Sequence, residues 1–165
     1  MTSWRERSKE ERALLNPAFC SLLLWSAAQG YRRVDENGLS FEETFLILPI
    51  VLHRTTREAL PRDTRTSLAV WVHSNPLAPR HIATRARLLV GTTREAICFG
   101  GARGLMGFDA GRLQANDNWR RSINRLVRNS SDEVDLCVRR SALVGKWFAQ
   151  TGSGSTVLAL LGVRP

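Results

Sequence analysis

Two stretches of this chain leave a helix almost no polar face, and any fold it adopts must enclose both. The first, Asn16 to Arg33 (NPAFCSLLLWSAAQGYRR), separates its apolar groups only by single serines. Asn16 is placed to cap this helix, and Pro17 stands at its first position, where proline's missing N–H costs no hydrogen bond. The second, Ser40 to His53 (SFEETFLILPIVLH), opens on Ser40 and Glu43, a capping-box pair that satisfies two orphan backbone donors reciprocally. Phe41, Phe45, Leu48 and Leu52 form one stripe at helical spacing, while Leu46, Ile47, Ile50 and Val51 cover the opposite side. Pro49 removes the bond to the Phe45 carbonyl and is expected to kink or divide the helix. A helix apolar all round is enclosed by its own domain, by a partner, or by both.

A membrane is not the expected enclosure. Pro17 to Ala28 is twelve residues, whereas a span needs about 20 apolar ones. A secretory signal also fits poorly, because the preceding WRERSKEER mixes four basic with three acidic residues and Asn-Pro sits where the apolar region should begin. At 165 residues the chain is expected to be a single domain, able to bury roughly 70% of its unfolded surface without disulfides. Cys20, Cys98 and Cys137 are odd in number, far apart and each set among apolar neighbours, which suits reduced, buried thiols in a cytoplasmic protein. No CxxC or HxxxH spacing offers a metal site, and no cofactor is expected.

Along the chain, residues 1–15 read as a charged lead-in and 16–165 as one mainly helical domain. RTTREALPRDTRTS is a polar connector with one helical turn ended by Pro61, and SLAVWVHSNP a short helix stopped at Asn75-Pro76. From residue 79 to about 115 the order becomes helix, tight turn at GTT, helix, hairpin, which is that of a winged helix-turn-helix. Thr92 and Glu95 repeat the capping-box spacing at the start of the second helix. Asp109-Ala110-Gly111 is expected as a three-residue hairpin loop, with glycine at the left-handed position. Residues 114–130, rich in Asn, Arg and Ser, read as a long basic loop with at most one turn. A last long helix runs from about Asp132 to Gln150, where Ser141 and Gly145, four apart, allow close helix approach. A Gly/Ser hinge then leads to a short apolar tail, 156–165, with Gly162 at its C-terminal cap.

Nothing in this pattern forms a recognisable active site. FGGARGLMG ends a helix instead of following a strand, so it is a turn and not a phosphate loop, and TGSGST lacks the lysine of one. His53, His73 and His81 are scattered, with no nucleophile in a recognisable motif beside them.

The net charge of +9 is carried almost wholly by arginine, 22 of the 24 basic residues. It is local: Arg80 to Arg128 holds ten arginines against Glu95, Asp109 and Asp117. A local basic face attracts polyanions or docks an acidic protein surface. Arg80, Arg85, Arg87, Arg94, Arg112, Arg120 and Arg121 are the residues expected to make that contact. The helix that would enter a DNA groove, by contrast, offers only Arg94, Glu95 and Arg103 as long polar side chains. Reading bases needs several such groups, so nonspecific phosphate contact is expected in place of sequence recognition. Leu22, Trp25, Ile47, Val51, Leu158 and Leu161 are the apolar residues expected to meet a partner.

NPAFCSLLLW, LPIVLHRTTREALP, TREAICFGGARGLMGFDAGRL and the closing TVLALLGVRP, in that order from Asn16 to Pro165, together resemble the middle component of bacterial three-component ABC-ATPase conflict systems, the Lamassu-like defence group. The resemblance implies a non-catalytic subunit between an SMC/Rad50-like ABC ATPase and a variable effector, often a nuclease, that acts against phage or plasmid DNA. It supplies no catalytic residues to carry over. The alternative is a stand-alone winged-helix DNA-binding regulator.

Overall fold

A computed structural model describes residues 15–163, so the charged lead-in, apart from Leu15, lies outside the described residues. The first apolar stretch is helix α1 (Pro17–Arg32), with the Asn16 side chain accepting from the Ala18 N–H as its cap. Then follow β1 (Leu39–Ser40), α2 (Phe41–Val51), α3 (Arg54–Ala59), α4 (Leu68–Ser74), α5 (Ala78–Leu88) and α6 (Val90–Ala102). The hairpin β2 (Met106–Asp109) and β3 (Arg112–Ala115) comes next, then a 3-10 turn (Asp117–Trp119), α7 (Arg120–Arg128), α8 (Asp132–Thr151) and α9 (Gly154–Leu160). The fold is mainly α, as expected. Its small antiparallel sheet has the order β1-β3-β2, with Leu39 opposite Leu113 and Met106 opposite Ala115.

α1 lacks a polar face because it is covered from several sides. α8 packs along one, α6 along another, and β3 on a third. The α1–α8 crossing is close enough to exclude side chains. A Cβ on Gly145 would overlap the Ala27 carbonyl, whose carbon would be 2.7 Å away, and a Cβ on Gly30 would meet the Ala142 carbonyl in the same way. Ser141, one turn before Gly145, is fully buried in this helix. The serines that interrupt α1 need no water either: Ser21 Oγ lies 2.6 Å from both the Pro17 and Ala96 carbonyls, and Ser26 donates to the Leu22 carbonyl. Buried hydroxyls satisfied in this way carry little desolvation penalty.

α2 keeps the capping box, Glu43 N–H donating to Ser40 Oγ at 3.3 Å and Ser40 N–H to Glu43 Oε2 at 3.0 Å. The helix runs unbroken through Pro49. Leu46 to Leu48, Ile50 and Val51 are all buried, while Phe41 emerges, 46% exposed, edge-on to Phe45 and Phe108 at 5.1 and 5.5 Å between ring centres. The tail helix α9 docks on α2, α4 and α8, with Val157, Leu158 and Leu161 buried. Under it Trp71 and Trp147 meet edge to face at 5.5 Å, and their indole N–H groups donate to the Ala59 and Thr66 carbonyls.

Three local expectations are corrected. The helix pair has no GTT turn: Leu89 alone joins α5 to α6, its N–H bonding back to Arg85 and its carbonyl accepting from Thr93. No loop is left for a Thr92–Glu95 box to cap, and Thr92 is buried within the helix. The hairpin loop is two residues, since Asp109 pairs with Arg112. Ala110 and Gly111 both take positive φ, 46° and 75°, as a type I′ turn requires. Residues 120–128 are a helix and not a loop, because Ile123 and Val127, four apart, bury one face of it.

Two stability measurements check this account. Gly145→Ala should cost about 2–3 kcal/mol, as overpacking of a close crossing does, whereas Gly91→Ala, which meets nothing within 4 Å in its helix, should gain about 0.5 kcal/mol from helix propensity. Denaturant midpoints of the two variants test the pair. The second test concerns Glu43, which is fully buried with Oε1 unpartnered among the described residues. Burial pushes its carboxyl above the usual range, against hydrogen bonds from Ser40 and the charge of Arg112. A raised folded pKa means that its contribution is complete below the unfolded value and is lost as pH rises through the folded one. The stability of Glu43→Gln relative to the native chain should therefore fall as pH is lowered through the raised folded pKa towards the ordinary glutamate value of 4.5.

Candidate functional site: two recesses on either side of α7

α7 is held at its start by Asn116. The Asn116 carbonyl accepts from Trp25 Nε1 at 3.1 Å, its amide donates to the Gly104 carbonyl at 2.8 Å, and its side-chain oxygen caps the 3-10 turn through Asn118 N–H. Asp117 then clamps the turn to α1, accepting from Gln29 at 2.5 Å and Arg32 at 3.2 Å. The Gln29 hydrogen bond, followed by the charge of Arg32, holds the Asp117 carboxyl below its usual range. With its start fixed, α7 lays Ile123 and Val127 inward and leaves Arg120, Arg121, Arg125 and Arg128 exposed.

On one side of α7 lies a groove of about 650 Å³ between α1, α7, α8 and the Arg62–Thr64 loop. Trp25, Val127, Val138, Ala142 and Leu143 supply its apolar surface. Arg33, Arg62, Arg120, Arg128, Arg139 and Lys146 line it against only two carboxylates, Asp63 and Asp135. Both acids are already engaged. Asp135 pairs with Arg139 at 2.9 Å, and Asp63 with Arg65 at 2.5 Å, hydrogen bonds that push its carboxyl down to about 2. Among the described residues, the other five cations have no carboxylate within ion-pair distance. The groove is thus an apolar trough with an uncompensated positive rim.

On the other side of α7 is an apolar cleft of about 850 Å³, where Phe19, Phe99, Leu105, Trp119 and Leu126 face one another. The Arg103 guanidinium lies 3.8 Å from the centre of the Phe99 ring, and Trp119 donates to the Gly104 carbonyl.

Of the seven arginines expected to form one contact face, Arg120 alone lines the groove. Arg80, Arg87, Arg94 and Arg121 are exposed elsewhere. Arg85 donates from Nε to the Pro49 carbonyl and from Nη2 to Thr56 Oγ1, and burial lowers its pKa. Arg112 donates to the Gly38 carbonyl. The six apolar residues expected to meet a partner, Leu22, Trp25, Ile47, Val51, Leu158 and Leu161, are all buried within the chain. Trp25 and Leu22 each reach the lining of one recess by an edge. Arg33, Arg62, Arg128 and Lys146 were not singled out in the sequence. One signal was present for part of the set: Arg120, Asn124 and Arg128 repeat every four residues, which aligns them along one side of a helix.

The scattered chemistry-bearing residues have local roles. His53 caps α3, its Nδ1 accepting from the Thr56 N–H, so the ring proton is on Nε2. Burial and the charge of Arg85 lower its pKa. Cys20 and Cys137 are buried, but Cys98 is exposed, contrary to expectation, because α6 turns it away from α1. Among the described residues no three His, Cys, Asp or Glu side chains cluster closely enough to hold a metal, and no helix is long and apolar enough to cross a membrane.

The sequence model of a family described as MC3, ABC-three component (ABC-3C) system Middle Component 3, matches residues 4–165. No curated protein and no solved structure matches the chain.

The thiols give a direct check of this arrangement. Burial, helped by the charge of Glu95, pushes Cys20 up to about 12, and burial raises Cys137 as well. A thiol reacts as its thiolate. Brief iodoacetamide treatment of the native protein should therefore add one carbamidomethyl group, at Cys98, and denaturation should expose the other two. Peptide mapping by mass spectrometry reads the result.

Proposed function

The chain belongs to the ABC-three component system middle component 3 family, and from that premise we propose that it is a non-catalytic middle subunit, linking an SMC/Rad50-like ABC ATPase to an effector, often a nuclease, in a cytoplasmic complex that acts against phage or plasmid DNA. The observation that carries this is the family match along residues 4–165. The two recesses flanking α7 support it, since a subunit joining two partners needs two separate surfaces, and both are ridged by one helix held at its start by Asn116 and Asp117.

The order α5, α6, β2, β3, with β1 added beside β3, favours a winged-helix-like body for this subunit. Contact with DNA, where the complex makes it, runs through phosphates: α6 presents few long polar side chains, and base reading needs several. Such binding falls steeply with salt, by a slope of about 0.9 per phosphate neutralised.

Co-expression with the ABC ATPase and the effector encoded beside its gene tests the proposal. The three chains should elute together from a sizing column and protect cells against phage or plasmid only when all are present. A locus without an ABC ATPase, or a chain that stays alone at high concentration in the presence of both neighbours, would overturn it.

A further inference from the structure

We propose that the cationic groove between α1, α7 and α8 is a docking site for an acidic, amphipathic helical segment of a partner subunit. This rests on the middle-subunit reading and adds to it where one partner binds and by what chemistry.

The volume suits a helix. A helix about 10 Å across, sunk to half its width over about three turns, displaces roughly what the groove offers, and the groove measures about 650 Å³. Its lining is zoned. Val127, Val138, Ala142 and Leu143 are its buried or half-buried apolar side chains, whereas Arg33, Arg62, Arg120 and Arg128 are exposed and Lys146 is half-buried. An apolar centre within a charged rim is the anatomy of a helix-in-groove contact, in which the apolar stripe gives affinity and the rim fixes orientation.

Charge identifies the occupant. Among the described residues the five rim cations have no carboxylate partner, and the two nearby acids are held by Arg65 and Arg139. Like charges gathered around one low-dielectric trough repel one another, and a segment carrying Asp and Glu along its flanks relieves that repulsion as its apolar stripe fills the centre.

Nucleic acid fits the same charge less well. A single strand needs aromatic faces on which bases stack. Among the described residues the one aromatic side chain lining the groove is Trp25, 5% exposed, whose indole N–H already donates to the Asn116 carbonyl. The apolar centre offers a phosphate chain no donor, so a polyanion without apolar groups would leave it empty.

The test uses the assembled complex of this chain with its co-encoded ABC ATPase and effector. Asn124, exposed on the groove side of α7, is replaced as Asn124→p-benzoylphenylalanine, and Val70, 57% exposed on α4, is replaced likewise as a control. On irradiation the Asn124 variant should link to a single acidic segment of one partner with an apolar stripe at helical spacing, located by mass spectrometry, and the Val70 variant should not. Arg120→Glu with Arg128→Glu, both at exposed positions, should weaken assembly at least tenfold. Reversing charges in the linked segment from Glu to Lys should restore it. A link to a neutral or basic segment, or assembly unaffected by the double variant, overturns the proposal while leaving the middle-subunit reading intact. So does a double variant that loses only binding to a fluorescent 20-base-pair duplex. Failure of the native chain to assemble with either neighbour overturns both.

Discussion

The contact on which the rest of the molecule depends is the backbone-to-backbone crossing of α1 and α8. Ala27 and Gly145 meet there, as do Gly30 and Ala142, at a separation that no further carbon atom can enter. Because α8 lies so close, the α1 residues between those contacts are sealed, and α1 becomes the axis around which α6, β3 and α2 assemble. Trp25 and Gln29, one turn apart on a face of α1 other than that of Ala27 and Gly30, hold Asn116 and Asp117 and so fix the start of α7. The groove is what remains between a ridge anchored to α1 and the flank of α8.

Arginine is divided between two uses that composition cannot separate. Arg32, Arg57, Arg85, Arg112 and Arg140 each donate to a backbone carbonyl, of Ala115, Val51, Pro49, Gly38 and Pro61 respectively. Those carbonyls lie at helix ends, a strand end or in loops, where no backbone donor is at hand, and an unpaired buried carbonyl is costly. The guanidinium suits the task because its five donors reach two partners at once. Arg57, 3% exposed, serves Val51 and pairs with Glu133 on α8. What remains after this internal use is the exposed set, and only part of that set is gathered around the groove.

The apolar surplus is divided in the same way. The residues that looked most in need of a partner, from Leu22 and Trp25 to Val51 and Leu161, are satisfied by one another. The apolar groups left at the surface include ones whose sequence context is unremarkable: Phe41 and Phe108, packed edge to face, and Trp119 and Leu126 beside the cleft.

The sequence by itself determined what is decided within a few residues along the chain. Asn16 and Ser40 mark helix starts, Gly111 marks a left-handed position in the hairpin turn, and Ser141 with Gly145 announces a close helix approach. Local expectation failed where a tertiary partner supplied what the local signal lacked. α7 was hidden because Asn, Arg and Ser dominate its composition, and Ile123 and Val127 make it a helix only by burying one face. The GTT turn dissolved because α5 and α6 share Leu89, so the break needed no loop. Of the groove, only the four-residue repeat of Arg120, Asn124 and Arg128 was legible. Its rim joins residues 33, 62, 120, 128 and 146, which have no common period or motif. Charge is additive along a sequence, but an electrostatic site depends on distance in space, and here that distance is set by how α1, α7, α8 and the Arg62–Thr64 loop pack together.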